Sequence, residues 1–136
     1  MNNQVLLEEG SILSLDFDKL VKVVAGGGNV IPAVIQDAET KDVLLLAYVN
    51  QEALDASLAT GVATFWSTSR GEIWVKGKTS GDFLDLKEVR VNCEQNSLLF
   101  LVVMRSRGAC HTKHQDGHAR STCFYRAIDG QSLVQN

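Results

Sequence analysis

Short runs of apolar and β-branched residues recur along the chain, separated by polar or glycine-containing turns, and this pattern most constrains the fold. Such runs are typical of β-strands. The first two flank the polar segment 37–42 and predict a hairpin. In the longest run the alternation changes near Lys87 and Glu88, which predicts a β-bulge. The predicted strands cover residues 29–37, 43–49, 63–67, 72–76, 83–92, 97–104 and 123–128.

Apolar residues at helical spacing occur in two places. The first group shares one helical face: Phe17, Leu20, Val21 and Val24. Glycines 26–28 follow it as a stop signal. Asn50 is typical of an N-cap, and the helix that it begins, over 51–59, ends before Gly61. With two short helices and mostly strands, a chain of 136 residues is expected to form one β-rich α+β domain.

The charges are mixed along the chain, with 16 acidic and 13 basic residues and a net charge of −3 at pH 7. This balance excludes a basic surface for a nucleic-acid polymer. The N-terminal segment carries acidic residues where a secretory signal needs a positive start, and no apolar stretch approaches the ~20 residues that span a bilayer. We therefore expect a cytoplasmic protein without a membrane partner. A chain this short buries only about two-thirds of its unfolded surface, which favours an oligomer.

The three cysteines are Cys93, Cys110 and Cys123. Without an export signal, free thiols, metal ligands or a nucleophile are favoured over disulfides. Cys110 and Cys123 stand at the two ends of a polar loop, and Cys93 ends a strand among polar residues. Three thiolates suit a zinc ion that keeps its fourth position open for water. The alternative is three ordinary buried thiols, and the spacing alone does not decide between these interpretations.

His111 follows Cys110 directly and is the candidate general acid or base, since histidine titrates near neutral pH. The alternative is a solvent-exposed loop histidine. A nucleophilic Cys110 paired with His111 requires irregular backbone, because neighbours on a strand point to opposite faces. His114 and His118 are expected to be exposed.

The residues Asn92, Glu94 and Asn96 alternate along an extended segment, so they share one face. Three oxygen-bearing side chains suit a hard cation such as Mg²⁺. The alternative is a polar strand end that leads into a turn.

Segment 65–81 combines two tryptophans with cations and hydroxyl groups. The indoles suit stacking on an aromatic ligand, the cations suit phosphate, and the hydroxyls suit hydrogen bonds. The alternative is a hairpin with core tryptophans and solvated charges. The candidate substrate-binding residues are Trp66, Ser67, Ser69, Arg70, Trp74, Lys76, Thr79, Ser80 and Gly81.

Several blocks in the same order resemble the phosphoribosyl-AMP cyclohydrolases, enzymes of histidine biosynthesis that hydrolyse the N1–C6 bond of the adenine ring of phosphoribosyl-AMP. The matching blocks are 31–37, 43–50, 52–54, 65–67, 69–70, 74–77, 79–81, 109–112 and 123–126. The resemblance covers about 17–128 and leaves tails at 1–14 and 129–136. It implies an intertwined homodimer with metal sites at the subunit interface.

The resemblance also implies the roles of individual residues. Cys93 of one subunit and Cys110 and Cys123 of the other would bind zinc, and the zinc would activate water. His111 would protonate N1. Phosphate would be held by Arg70, Lys76 and the turn 79–81.

The chain departs from the family pattern at three places. Asn92, Glu94 and Asn96 stand where the family usually has three aspartates, the loop between Cys110 and Cys123 is longer than the commonest form, and Thr68 replaces a frequent arginine. These departures leave two alternatives open. One is a divergent zinc hydrolase acting on another purine- or pterin-like ring. The other is a non-catalytic zinc-binding dimer in which His114 or His118 supplies a fourth ligand.

Overall fold

The computed structural model describes residues 3–26 and 28–135. Gly27 of the predicted glycine stop, and Met1, Asn2 and Asn136 of the predicted tails, lie outside the described residues. The elements in chain order are α1 (Asn3–Glu9), α2 (Lys19–Ala25), β1 (Ile31–Asp37), β2 (Val43–Val49), α3 (Gln51–Thr60), β3 (Thr64–Ser67), β4 (Glu72–Val75), β5 (Leu84–Val91), β6 (Leu98–Met104), β7 (Arg126–Asp129) and β8 (Ser132–Gln135).

Six of the strands form one sheet in the order β4-β3-β2-β1-β6-β5, and β7 and β8 form a separate hairpin. Within the large sheet β1 runs parallel to β6, and the other neighbouring strands are antiparallel. The predicted β1–β2 hairpin is confirmed. The predicted bulge is also confirmed, because Leu86 pairs with Val102 whereas Glu88 pairs with Leu101. The β-rich α+β class is therefore correct.

The core lies between this sheet and α3. Phe65 of β3 and Phe100 of β6 are fully buried, and their ring centroids are 5.8 Å apart. Burying one such side chain contributes about 1.5–3 kcal/mol. Ser57 of α3 is also fully buried, and its hydroxyl oxygen accepts a hydrogen bond from the backbone N–H of Thr64 at 2.9 Å. Helix α3 is thereby fixed on the strand that carries Phe65.

Helix α3 has the predicted caps. The Asn50 side chain accepts a hydrogen bond from the backbone N–H of Ala53 at 2.8 Å. Gly61 ends the helix with a φ of 75°, a left-handed conformation that glycine adopts without steric cost. The N-cap side chain satisfies a backbone donor at the start of the helix that otherwise has no partner in the helix. Helix α3 therefore begins and ends where its sequence predicts.

The segments outside the resemblance, 1–14 and 129–136, contain regular structure. The structure has three helices within the described residues, and the additional one, α1, lies in the predicted tail 1–14. The last predicted strand, 123–128, begins only at Arg126, and residues 132–135 form β8. The N–H of Leu133 donates to the carbonyl oxygen of Ser11 at 2.7 Å. The N-terminal and C-terminal segments are therefore held together by hydrogen bonds. No local sequence pattern indicates this contact.

Helix α2 is present, but its apolar face points to solvent. Phe17, just before the helix, is 89% exposed and Val24 is 77% exposed, whereas Val23 is the buried residue of the helix. Exposed apolar surfaces of this kind mark interaction sites. Among the described residues, no helix combines the length and the hydropathy needed to cross a membrane.

Candidate active site

The loop between β6 and β7 carries two of the three cysteines and His111. Backbone hydrogen bonds close this loop, since the N–H groups of Ala109 and Cys110 both donate to the carbonyl oxygen of Arg120, at 3.1 and 3.0 Å. The N–H of Cys123 donates to the carbonyl oxygen of Leu44 in β2 at 2.7 Å. The ends of the loop are therefore drawn together against the sheet, and the two cysteine side chains meet.

The side chains of Cys110 and Cys123 form a hydrogen-bonded pair, with Cys110 buried and Cys123 exposed. The hydrogen bond from Cys123 is the main cause that lowers the pKa of Cys110 to about 5; burial opposes the shift, and the hydroxyl and N–H of Thr112 assist it. The Thr112 hydroxyl oxygen lies 3.0 Å from the Cys110 sulfur. The same hydrogen bond is the main cause that raises the pKa of Cys123. Cys110 is thus a thiolate at neutral pH, the form that binds metals.

Cys93 is not part of this pair. It is exposed and follows β5, whereas Cys123 bonds to β2. Three inter-strand spacings separate β5 from β2 in the sheet, about 14 Å. In the described part of one chain, no three His, Cys, Asp or Glu side chains are grouped so that they could hold a metal ion. One chain therefore brings together two of the three predicted zinc ligands.

A pocket of about 320 Å³ opens beside the cysteine pair. Cys110, Cys123 and His111 line it, together with residues of the N-terminal segment and of the β7–β8 hairpin. The His111 side chain is 73% exposed, and its Nε2 hydrogen-bonds to a carboxylate oxygen of Glu8. Desolvation raises the pKa of Glu8, but the hydrogen bonds from His111 and Gln4 outweigh it and hold the pKa below its usual value.

Glu8 is a residue of this site that sequence reasoning missed. It lies 103 positions from His111 in the sequence, and no local pattern connects the two residues. The acidic pair Glu8–Glu9 indicated only that the segment is no secretory signal. Only the fold shows which carboxylates lie near the loop that contains the histidines.

Lys76 lies at the base of the site rather than in solvent. Its residue is 5% exposed, and its Nζ donates to the carbonyl oxygen of Asp82 at 3.4 Å. Burial lowers the pKa of Lys76, while the negative charges of Asp82, Cys123 and Cys110 act in the opposite direction. The interpretation as a solvated charge is therefore wrong for Lys76, which is a buried cation near the two cysteines.

The two tryptophans of the predicted substrate segment lie on opposite faces of the β3–β4 hairpin. Trp66 pairs with Ile73, whereas Trp74 pairs with Phe65 and packs on its ring at 5.8 Å between centroids. Trp74 therefore packs against the core but remains only partly buried. Both tryptophans nevertheless line a groove of about 220 Å³ that also contains Ser67 and Ser69.

The predicted phosphate ligands are also divided. Arg70 lies at the β3–β4 turn, and its Nε donates to the Ser67 hydroxyl at 3.2 Å. Lys76 lies at the other end of the same hairpin. Thr79, Ser80 and Gly81 form an exposed turn beyond it, in which the Ser80 hydroxyl accepts the N–H of Asp82 at 3.2 Å. One chain does not bring Arg70 and Lys76 together.

The predicted magnesium residues occupy the turn after β5. The Asn92 side-chain oxygen accepts hydrogen bonds from the backbone N–H groups of Asn96 and Ser97, both at 2.9 Å. The Asn92 amide donates to the Asn96 side-chain oxygen at 2.6 Å. Two of the three candidate ligand oxygens therefore serve to close the turn. This donor set does not fit a magnesium ion in the present conformation, and a cation here stays a prediction.

The remaining loop histidines are exposed, as expected. The N–H of His114 donates to the carbonyl oxygen of His118 at 2.9 Å, which closes the loop tip. The His118 ring lies 3.2 Å from a carboxylate oxygen of Asp116.

The chain is similar to known proteins over most of its length. A model of the family described as phosphoribosyl-AMP cyclohydrolase matches residues 45–125, a range that contains every predicted site residue. The chain is 41% identical over 123 residues to a phosphoribosyl-AMP cyclohydrolase of Desulfatibacillum aliphaticivorans, covering 90% of this chain and 88% of that protein. It is 50% identical over 105 residues to the phosphoribosyl-AMP cyclohydrolase of Hyphomonas neptunium, covering 77% and 75% of the two chains.

Proposed function

This chain belongs to the phosphoribosyl-AMP cyclohydrolase family, and from that premise we propose that it opens the adenine ring of phosphoribosyl-AMP at the N1–C6 bond. The reaction would serve histidine biosynthesis in the cytoplasm and would depend on zinc. One observation carries the proposal. The hydrogen-bonded pair of Cys110 and Cys123 and the imidazole of His111 line the same pocket.

The cysteine pair fits a zinc ion by its chemistry. Zinc prefers thiolate ligands, and the pKa of Cys110 near 5 makes that sulfur a thiolate before any metal arrives. To bind the metal as a second thiolate, Cys123 must release the proton that it shares with Cys110. When bound, zinc supplies a Lewis acid that lowers the pKa of water near it. Lys76 is a buried cation on the protein side of this pair and offsets part of its negative charge.

The third ligand is proposed to come from a second copy of the chain. Cys93 is exposed and is separated from the pair by the width of the sheet. A zinc site with three cysteines therefore needs Cys93 of the partner subunit. The exposed apolar residues Phe17, Val21 and Val24 support an intertwined homodimer, because an apolar face of this size is costly to leave in water.

His111 is proposed to move the proton in the reaction. Hydrolysis adds a hydroxyl group to C6 and a proton to N1 as their bond breaks. An imidazole that lines the pocket can donate that proton to N1. The hydrogen bond to Glu8 already holds one ring nitrogen of His111.

The substrate-binding residues are proposed to act across the same interface. Trp66, Ser67 and Ser69 share one groove, and Arg70 is exposed at its edge. The exposed turn 79–81 presents further hydrogen-bonding groups. Since Arg70 and this turn lie at opposite ends of one hairpin, a phosphate that contacts both would be held by two subunits.

The experiment is to incubate the purified protein with phosphoribosyl-AMP and follow the ultraviolet change as the adenine ring opens. We expect turnover that a zinc chelator abolishes and that added zinc restores. Cys110→Ala should be inactive, whereas Gln51→Ala, at the exposed start of α3 and outside this pocket, should retain activity. A folded, zinc-loaded protein without turnover would overturn the assignment and direct the search to other purine- or pterin-like rings.

A further inference from the structure

The N-terminal helix α1 is docked on the loop that carries Cys110 and His111. The carboxylate of Glu8 hydrogen-bonds to Nε2 of His111, and the hydroxyl of Tyr125 donates to the carbonyl oxygen of Glu8. Arg126 donates to the carbonyl oxygen of Gly10 at 3.0 Å. These contacts join residues separated by more than a hundred positions.

A second contact fixes the same helix to the cysteine loop. The guanidinium of Arg120 donates to both carboxylate oxygens of Glu9, at 2.7 and 3.0 Å, and Arg120 is only 7% exposed. It lies over the ring of Tyr125 at 4.0 Å. The carbonyl oxygen of this same arginine accepts the N–H group of Cys110. Arg120 therefore couples the position of α1 to the position of Cys110.

Apolar packing does not account for this docking. Helix α1 has seven residues, and none of them is buried. A helix this short is not stable alone in water. Its place in the structure is set by polar contacts with the loop, and these contacts leave Glu8 directed at His111.

We propose that Glu8 is a positioning residue that orients the imidazole of His111 for proton transfer. The inference rests on the proposed function, in which His111 protonates N1. Glu8 lies outside residues 45–125, the range over which the family model matches. The carboxylate holds the proton of Nε2, so Nδ1 is the nitrogen that exchanges a proton with the substrate. A hydrogen bond to one ring nitrogen fixes the tautomer of the other.

The proton balance agrees with this arrangement. The imidazolium of His111 gives the proton on Nδ1 to N1 and becomes neutral, while Nε2 keeps its proton in the bond to Glu8. The water that adds to C6 supplies the replacement proton. The carboxylate of Glu8 takes up no proton in this sequence and keeps its hydrogen bond to Nε2 before and after the transfer.

The test compares two neighbouring carboxylates of one helix. Glu8→Ala should lower kcat roughly tenfold, the scale of loss seen when the carboxylate partner of a metal-binding histidine is removed. KM should stay within about twofold, since Glu8 acts through His111 and not on the bound substrate. Glu8→Gln keeps an acceptor and should recover part of the loss. Glu9→Gln keeps an acceptor for Arg120 and should change kcat by less than about threefold.

A double-mutant cycle separates positioning from a merely structural role. In a His111→Ala background, Glu8→Ala should cause no further loss of kcat, because its effect passes through the missing imidazole. Losses that multiply in the double variant, or a Glu8→Ala variant with unchanged kcat, would overturn the proposal.

A readout without turnover distinguishes this inference from the proposed function. The nitrogen-15 signals of the His111 ring, recorded at alkaline pH, should show a proton on Nε2 in the wild type and mixed tautomers in Glu8→Ala. Glu9→Gln should keep the wild-type signals. If the wild type does not turn over phosphoribosyl-AMP but the tautomer responds in this way, the proposed substrate fails and the positioning role stands. An unchanged tautomer in Glu8→Ala would overturn that role.

Discussion

Cys123 donates a hydrogen bond to the sulfur of Cys110, and the two residues together carry one proton at neutral pH. Twelve loop residues separate them in the sequence, and the turn of this loop through Arg120 brings them into contact. The proton is shared unequally, because the buried sulfur of Cys110 also receives the hydroxyl and N–H of Thr112. Cys110 is the anion and Cys123 is the donor.

The first prediction concerns this shared proton in the metal-free protein. Because the pKa of Cys110 is about 5, thiolate absorbance in the ultraviolet should be present above that pH and should disappear as the pH falls through it. Cys123→Ala removes the main cause of the shift, so the midpoint should move up toward the ordinary thiol value of 9.0. Cys93→Ala is the control and should leave the midpoint unchanged. Equal midpoints in the wild type and in Cys123→Ala would contradict the assignment of the donor.

The second prediction tests the shared zinc site by subunit mixing. Cys93→Ala and Cys110→Ala should each be inactive alone. In a mixed dimer of these variants, one site contains both substitutions and the other contains none. Random mixing in equal amounts should therefore restore about a quarter of wild-type activity, because half of the dimers are mixed and each has one intact site.

The control for this experiment mixes Cys110→Ala with Cys123→Ala. These residues come from the same chain in the proposed site, so each site of their mixed dimer lacks one ligand and no activity should return. Recovery in this control, or none in the first mixture, would show that the ligands are divided between the chains in some other way.

Local signals in the sequence were sufficient for much of the sheet and for α3. Asn50 and Gly61 have chemical roles that depend on a few neighbouring residues, so the pattern places them correctly. The change of alternation at Lys87 likewise reports the bulge directly. Cys110 and Cys123 were predicted as metal ligands because the chemistry of thiols restricts the roles that three cysteines can have.

Other features depend on contacts between distant parts of the chain. Glu8 reaches His111 because α1 docks on the cysteine loop and because residues 11–13 pair with 131–133, and neither end has a strong local pattern. Lys76 follows a strand and precedes a glycine, as many solvated lysines do, yet the fold buries it beside the cysteine pair. Trp66 and Trp74 lie on opposite faces of the β3–β4 hairpin because of the strand register. The sequence alone did not fix that register.

The third prediction concerns a close approach inside the cysteine loop. A Cβ atom at Gly108 would lie 2.4 Å from the carbonyl oxygen of Ala119, so an alanine there must push apart the two sides of the loop. Gly108→Ala should break the hydrogen bonds that close the loop at Arg120. The Cys110–Cys123 contact should then be lost, zinc affinity should fall, and the thiolate midpoint should rise.

Gly117 provides the matched control in the same loop. Its φ is 88°, and nothing lies within 4 Å of the Cβ position. Gly117→Ala should cost about 1–2 kcal/mol from left-handed backbone strain, without a change in the thiolate midpoint. If both glycine variants shifted that midpoint equally, backbone strain and not close approach would explain the effect of Gly108→Ala.

The fourth prediction concerns the cap of α3, the helix that packs on β3. Asn50→Ala removes the acceptor for the N–H of Ala53 and should lower the free energy of unfolding by about 1 kcal/mol. Asn50→Asp keeps an acceptor and should retain most of the stabilisation that the cap provides. Gln51→Ala, the next residue, loses only an exposed hydrogen bond to Asp55, worth about 0.2–0.5 kcal/mol. Urea titrations at one fixed protein concentration test this order, since a dimer's stability depends on concentration. A Gln51→Ala loss as large as that of Asn50→Ala would show that the cap is not what holds the start of α3.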